Sequence, residues 1–175
     1  RRQAVLSTAG VGVLKGFMGM HGAFPGEIPM IIASGETSTD GEADGFDPGP
    51  QWLRNLSIVG GPNRLVDSIT KWSSRVTSAE VLYETFSRAG EMAQRTPKGP
   101  TFLNVPMETM LEEWTPPANF RNKPAAPKTR PETSDIEAIA DLVVGAKSPV
   151  ILADSAGKTA EGFQAMITLA ESLNI

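Results

Sequence analysis

The sequence predicts an α/β fold, with parallel sheets flanked by helices. Three observations carry that expectation. Runs of strand length recur, apolar at residues 4–6 and 29–33 and β-branched and aromatic at 101–105. Hydrophobic residues at helical spacing lie between and after them, and glycine or proline punctuates the junctions. Strands that are apolar throughout, rather than alternating, belong to parallel sheets covered on both faces.

Taken in order, Ala4-Val5-Leu6 reads as a short buried strand, Gly10-Val11-Gly12 as the turn after it, and residues 13–24 as a compact helix. Gly16, Gly19 and Gly22 recur on that helix, where each costs about 1 kcal/mol relative to Ala. Close approach of a neighbouring backbone would offset that cost, so the helix is expected to be buried at a sheet or subunit contact. Residues 29–33 form the next strand. From 34 to 61 the pattern turns loop-like, punctuated by Gly35, Gly41, Gly45, Pro48, Gly49 and Pro50. A stretch of this length without periodicity is usually functional or disordered, and Trp52 and Leu53 are expected to pin part of it down.

Residues 68–73 read as a strand. Thr77-Ser78-Ala79-Glu80 has the form of a capping box, opening a helix that carries Leu82, Phe86, Ala89, Met92 and Ala93 on one face. Gly99-Pro100 leads into the strand 101–105, which Pro106 stops. Pro116, Pro117, Pro124, Pro127 and Pro131 mark a semi-extended linker. The expected organisation is therefore residues 1–115, a linker 116–133, and a second α/β unit 134–175. That unit opens with another capping box, Ser134-Asp135-Ile136-Glu137. A helix buried through Ile136, Ile139, Ala140 and Val143 follows, then a strand at 149–153 and a helix at 158–173. With no initiator Met before the first strand and a helical pattern running to Leu173, the chain reads as an internal piece of a longer polypeptide.

Composition excludes several functions. Hydrophobic residues make up 40% and charged residues 21%, the balance of a globular domain. A net charge of −4 argues against nucleic acid as a partner, because a phosphate backbone needs a concentrated basic surface. No run approaches the roughly 20 apolar residues that span a bilayer. The absence of cysteine removes disulfides, thiolate metal sites and cysteine nucleophiles, and fits a cytoplasmic setting.

Strand, Gly10-x-Gly12, helix suggests a dinucleotide turn, and Glu36 follows the next strand as that motif asks. The third glycine position, however, holds Lys15, so the fingerprint is broken. A tight turn at the carboxyl end of a parallel strand is still a place for a ligand. Ser7 and Thr8 stand at its mouth, either as hydrogen-bond donors to a ligand or as partners of the turn backbone. His21 is the only histidine; amid Met20, Gly22 and Phe24 it reads as a packed or interface residue rather than a general base. The acidic residues Asp40, Glu42, Asp44 and Asp47 lack the order of a calcium loop and read as a solvated loop. No metal site is expected in the chain.

Placed in sequence, these pieces resemble the later half of the pyrimidine-binding domain of thiamine-diphosphate-dependent enzymes of the acetolactate synthase and 2-oxoacid decarboxylase superfamily. Val5-Leu6-Ser7-Thr8-Ala9-Gly10-Val11-Gly12 is similar to the strand and small-residue turn that touch the cofactor's aminopyrimidine ring. Ala23-Phe24, then Pro29-Met30-Ile31-Ile32-Ala33-Ser34-Gly35-Glu36, resembles the family's passage from helix to strand. Thr70-Lys71-Trp72-Ser73, Arg88-Ala89 and Gly99-Pro100-Thr101-Phe102-Leu103-Asn104-Val105-Pro106 resemble its last strand–helix–strand, with a spacing close to that of benzoylformate decarboxylase. Past the linker, Ser148-Pro149-Val150-Ile151-Leu152-Ala153 resembles the opening strand of the central domain.

The resemblance implies thiamine diphosphate held partly by Gly10, Val11, Gly12 and Val13 at a subunit interface, with Leu6, Ser7 and Thr8 on the substrate side. It implies a 2-oxoacid substrate and a homodimer or homotetramer. No catalytic residue is expected in this segment. The carboxylate that bonds the pyrimidine nitrogen lies upstream in relatives, and the magnesium and diphosphate motif lies downstream, so the rest of the polypeptide or companion chains must supply them. The central domain holds FAD or ADP in some relatives and nothing in others; this sequence supports neither. Leu6 stands where benzoylformate decarboxylase-like members carry a histidine, and Val13 where many members carry Asn. Both lean toward the acetolactate synthase side, and both are what a non-catalytic regulatory or scaffold module would also display.

Overall fold

The computed structural model describes residues 3–8, 10–37, 39, 60–116, 118–119 and 125–175. The acidic residues Asp40 to Asp47, and Trp52 and Leu53, lie outside the described residues. The chain divides into two compact units, Arg1–Lys128 and Thr129–Ile175.

The first unit is built on a four-stranded sheet: β1 (Gln3–Ser7), β2 (Met30–Glu36), β3 (Trp72–Arg75) and β4 (Thr101–Pro106). The order is β1-β2-β4-β3 and every pairing is parallel. Its helices are α1 (Val11–Ala23), α2 (Gly61–Val66), α3 (Leu82–Gln94) and α4 (Met107–Leu111), with a 3₁₀ turn, Ala79–Val81, before α3. The α/β class and the parallel sheet predicted from the apolar runs are both present.

Register explains the core. Ile32 lies beside Phe102, and Ala33 beside Leu103. Successive side chains on a strand point to opposite faces, so these two rows serve two different layers. Ile32 and Phe102 pack with Val13 and Met20 of α1, Val66 of α2, and Ile69. Ala33 and Leu103 pack with Ala89 of α3, with Phe86 and Trp72 at the margin. Helices thus cover both faces, and β4, between β2 and β3, is buried along its whole length.

Several expectations are corrected. β1 is an exposed edge strand, not a buried one; Leu6 is 81% exposed. Within this chain α1 is buried on one side only, against the sheet. Only Val13, Met20 and Ala23 are buried on it, and a Cβ added at Gly19 or Gly22 would meet nothing within 4 Å. β3 starts at Trp72, because Asp67 to Ile69 still belong to the turn that ends α2, a helix the glycine and proline pattern had hidden. The expected Thr77 capping box does not form: the Ala79 N–H donates to the Glu112 carboxylate at 3.2 Å instead.

The second unit contains α5 (Thr133–Gly145), a 3₁₀ turn (Asp154–Lys158) and α6 (Ala160–Leu173). Glu132, without a side-chain cap, precedes α5, so the second capping box is also absent. The cap that does form is Thr159, whose hydroxyl accepts from the Gly162 N–H at 3.0 Å and starts α6. The predicted strand at 149–153 is not a strand, and Leu152 is 91% exposed. A strand exists only with a ladder partner, and no described residue of this unit supplies one. The buried helix face expected from Ile136 and Ile139 is likewise exposed.

Candidate functional site

Because all four strands run parallel, their carboxyl ends gather on one edge of the sheet, the usual place for a ligand in an open α/β sheet. β1 ends there at Ser7. Gly10 follows with φ 58° and ψ −89° and leads directly into α1. That positive φ is open to glycine and strained for L-residues with side chains. Gly12 closes the turn: a Cβ there would lie 2.6 Å from Thr8 Oγ1 and 3.3 Å from Ser7 Cβ. The turn is packed against the strand end as tightly as its atoms allow. Beside it the Ser7 hydroxyl oxygen is buried and has no hydrogen-bond partner among the described residues. An unpaired buried hydroxyl costs free energy, which a ligand's polar group would relieve.

The other predicted residues separate. Leu6 and Thr8 are exposed, as is Val11 at the first position of α1. Val13 is 0% exposed and packs in the core against Ile32 and Phe102. Its side chain therefore has no face toward the turn, and an apolar residue there reflects packing. His21 is not packed but exposed, on the last turn of α1. Among the described residues no three His, Cys, Asp or Glu side chains are grouped to hold a metal ion.

Sequence reasoning missed a polar row across the strand ends. Ser7 is the register partner of Ser34, Ser34 of Asn104, and Asn104 of Arg75. Ser34 and Asn104 are buried, as is Glu36 two residues further along β2. The Ser34 hydroxyl donates to Asn104 Oδ1 at 3.4 Å, and Asn104 Nδ2 donates to Glu36 Oε2. Arg75 grips the same carboxylate twice, Nε at 2.8 Å from Oε2 and a terminal nitrogen at 2.9 Å from Oε1. A buried carboxylate is tolerated only when paired and hydrogen-bonded in this way. Gly61, at the start of α2, fits over the pair, where a Cβ would sit 3.4 Å from Glu36 Oε1. Glu36 is thus a structural anchor, not the ribose-binding acid of a dinucleotide fold. The available signal was Asn104, an amide set between Leu103 and Val105 in a strand buried along its whole length.

On the α3 side of this edge lies a cavity of about 530 Å³, lined by Leu6, Ala33, Phe86, Val105, Met110 and Trp114 among others. A larger hollow of about 740 Å³ in the second unit, between the ends of α5 and α6, borders Lys147, Ser148 and Asn174. The strand-end site is the better candidate, because it alone joins a glycine cradle, an orphan hydroxyl and an ordered polar row. No helix among the described residues is long and apolar enough to cross a membrane.

Fold and candidate site together describe a parallel α/β unit whose strand ends carry a tight glycine turn, a serine hydroxyl unpartnered among the described residues and a buried polar row. No family model matches the chain. It is 24% identical, over 100% of its length, to 2-succinyl-5-enolpyruvyl-6-hydroxy-3-cyclohexene-1-carboxylate synthase of Prosthecochloris aestuarii, covering 32% of that protein. It is 23% identical to the acetolactate synthase large subunit of Haemophilus influenzae, over 98% of this chain and 29% of the relative. Its fold matches benzoylformate decarboxylase from Polynucleobacter necessarius with a TM-score of 0.71 at 20% identity, covering 98% of this chain and 30% of that one. These similarities run along 98–100% of the chain, in sequence to two synthases and in fold to a decarboxylase. The chain spans about a third of the length of the curated relatives it matches.

Proposed function

We propose that the chain is part of a thiamine-diphosphate-dependent enzyme that acts on a 2-oxoacid, making or breaking a carbon–carbon bond as acetolactate synthase-like enzymes do. Residues 1–115 would be the later part of the pyrimidine-binding domain, 116–133 the connection, and 134–175 the start of the central domain. The observation that carries this reading is similarity along the full chain, in sequence to two synthases and in fold to a decarboxylase.

The residues present fit the cofactor's pyrimidine half. Gly12 lets the turn close onto Ser7 and Thr8 where a Cβ would clash, and the Ser7 hydroxyl offers a buried, unused hydrogen-bonding group beside it. Gly10, Val11, Gly12 and the Val13 backbone would form the wall against the ring, with Ser7 and Thr8 at its rim. Leu6, apolar and exposed next to them, would shed water from the substrate side. When bound, the cofactor supplies a carbon nucleophile for the carbonyl of the 2-oxoacid. Magnesium, the diphosphate ligands and the activating carboxylate would come from elsewhere in the polypeptide or from a companion chain, in a cytoplasmic homodimer or homotetramer.

The test is an assay of the complete protein with thiamine diphosphate, magnesium and pyruvate or another 2-oxoacid, beside the isolated 175-residue segment. Turnover is expected from the complete protein alone, and Gly10→Leu should weaken its cofactor binding in calorimetry. Turnover by the segment, or a complete protein that binds no thiamine diphosphate, would overturn the reading. An inert complete protein with tightly bound cofactor would favour a regulatory or scaffold role.

A further inference from the structure

The sheet face turned toward α3 is packed at its middle and hollow at its carboxyl edge. Leu6 is the register partner of Ala33, and Gly35 of Val105. Side chains alternate along a strand, so these four positions and Leu103 share that face. Ala33 and Leu103 are covered by Ala89 and Phe86. Past them β2 has no side chain at Gly35, and the 3₁₀ turn lining the same space offers only Ala79. These small residues leave the cavity of about 530 Å³, walled by Leu82 and Phe86 of α3 and by Met110 and Trp114. Protein interiors keep few voids larger than a water molecule, whereas hollows of about 300–1,000 Å³ are of the size that takes small ligands.

The lining also says which end of a ligand enters. It contains no Lys, Arg or His, and its one acidic side chain is Glu112, which accepts from the Ala79 N–H at 3.2 Å. A carboxylate entering here would lose its water, find no counter-charge and meet a like charge. A branched or aromatic group would instead bury apolar surface against Phe86, Leu82 and Trp114. Leu6 and Ser7 belong to this lining and also lead into the Gly10–Gly12 turn, so the cavity opens beside the place assigned above to the substrate. We propose that the cavity holds the side group of the 2-oxoacid, and that the substrate carries a bulky apolar side group, its carboxylate outside, rather than the methyl group of pyruvate. The inference rests on the cofactor reading above and names the substrate class for it.

The experiment is a specificity series on the complete protein with thiamine diphosphate and magnesium. It compares kcat/KM for 2-oxoacids whose side group is methyl (pyruvate), isobutyl or naphthylmethyl. The unaltered protein should prefer isobutyl over methyl by a factor of about ten or more. Met110→Trp adds volume to the cavity wall at a position 48% exposed, and should lower that preference about tenfold. Phe86→Ala removes volume from the opposite wall and should raise the preference for naphthylmethyl over isobutyl by a similar factor of about ten. Leu111→Trp, 58% exposed and outside the lining, should leave both ratios within a factor of about two. Shifts in opposite directions from Met110→Trp and Phe86→Ala do not arise from a general loss of stability. If the unaltered protein favours pyruvate, or if those two variants leave the ratios where they were, the cavity holds something other than the substrate. The inference then fails, while turnover of a 2-oxoacid keeps the cofactor reading intact. If the complete protein turns over no 2-oxoacid, both fall.

Discussion

Lys71 sits where β3 begins, at the end of the sheet opposite Ser7, and shows how one residue records its surroundings. Its ammonium donates to the carbonyls of Arg95 and Pro97, the latter at 2.5 Å. Burial lowers its pKa from the ordinary 10.5, the nearby Arg95 lowers it further, and Glu27 partly opposes them. The folded protein therefore holds this proton less firmly than the unfolded chain. Between the lowered value and 10.5 the unfolded state binds more proton, so the Lys71 contribution to stability rises with pH in that window. At neutral pH the charged form carries its full desolvation cost. Relative to Lys71→Met, the unaltered chain should gain stability as pH is raised from neutral toward 10 in urea unfolding; parallel curves would refute the assignment. Val13 teaches the complementary lesson. From sequence it stood at a cofactor-contacting position, yet its side chain lies wholly in the core. Spacing locates a backbone position but does not say which way the side chain faces.

At the scale of elements, β4 is the keystone, since it pairs with both β2 and β3 and feeds both faces of the sheet. Phe102 is 0% exposed and touches the α1 and α2 layer. Phe102→Ala should cost about 3–5 kcal/mol, visible as a lower urea midpoint with little change in slope. A loss below about 1 kcal/mol would mean that the layer is not packed as described. The strands were legible because a buried parallel strand must be apolar along its length, whatever its neighbours. Helix starts were less legible. Both capping boxes read from sequence are absent, and Thr159, which no box announced, caps α6. A side-chain cap competes with any other partner for the same N–H, and at Ala79 the partner was Glu112, 33 residues away.

The whole molecule consists of two units, and Lys128 stands at the end of the first in exposed chain without helix or strand. Trypsin should cut after Lys128 before it cuts at Arg75 or Arg88, which lie in β3 and α3. Mass spectrometry that finds cleavage in β3 or α3 first would contradict that division. Sequence by itself determined the α/β class, the run of strand, glycine turn and helix around Ser7 to Gly12, and the proline-rich stretch near the division. These follow from local rules of periodicity, backbone freedom and the missing N–H of proline, which act on neighbours in the chain. Tertiary structure alone decided the rest. It made β1 an edge, left α1 open, denied residues 149–153 a ladder partner, and tied Glu36 to Asn104 and Arg75 over separations of 68 and 39 residues. The polar row belongs to this second kind. Its members are spread over four strands and meet only because parallel register brings them side by side, and no local pattern encodes which residue a strand will find as its neighbour.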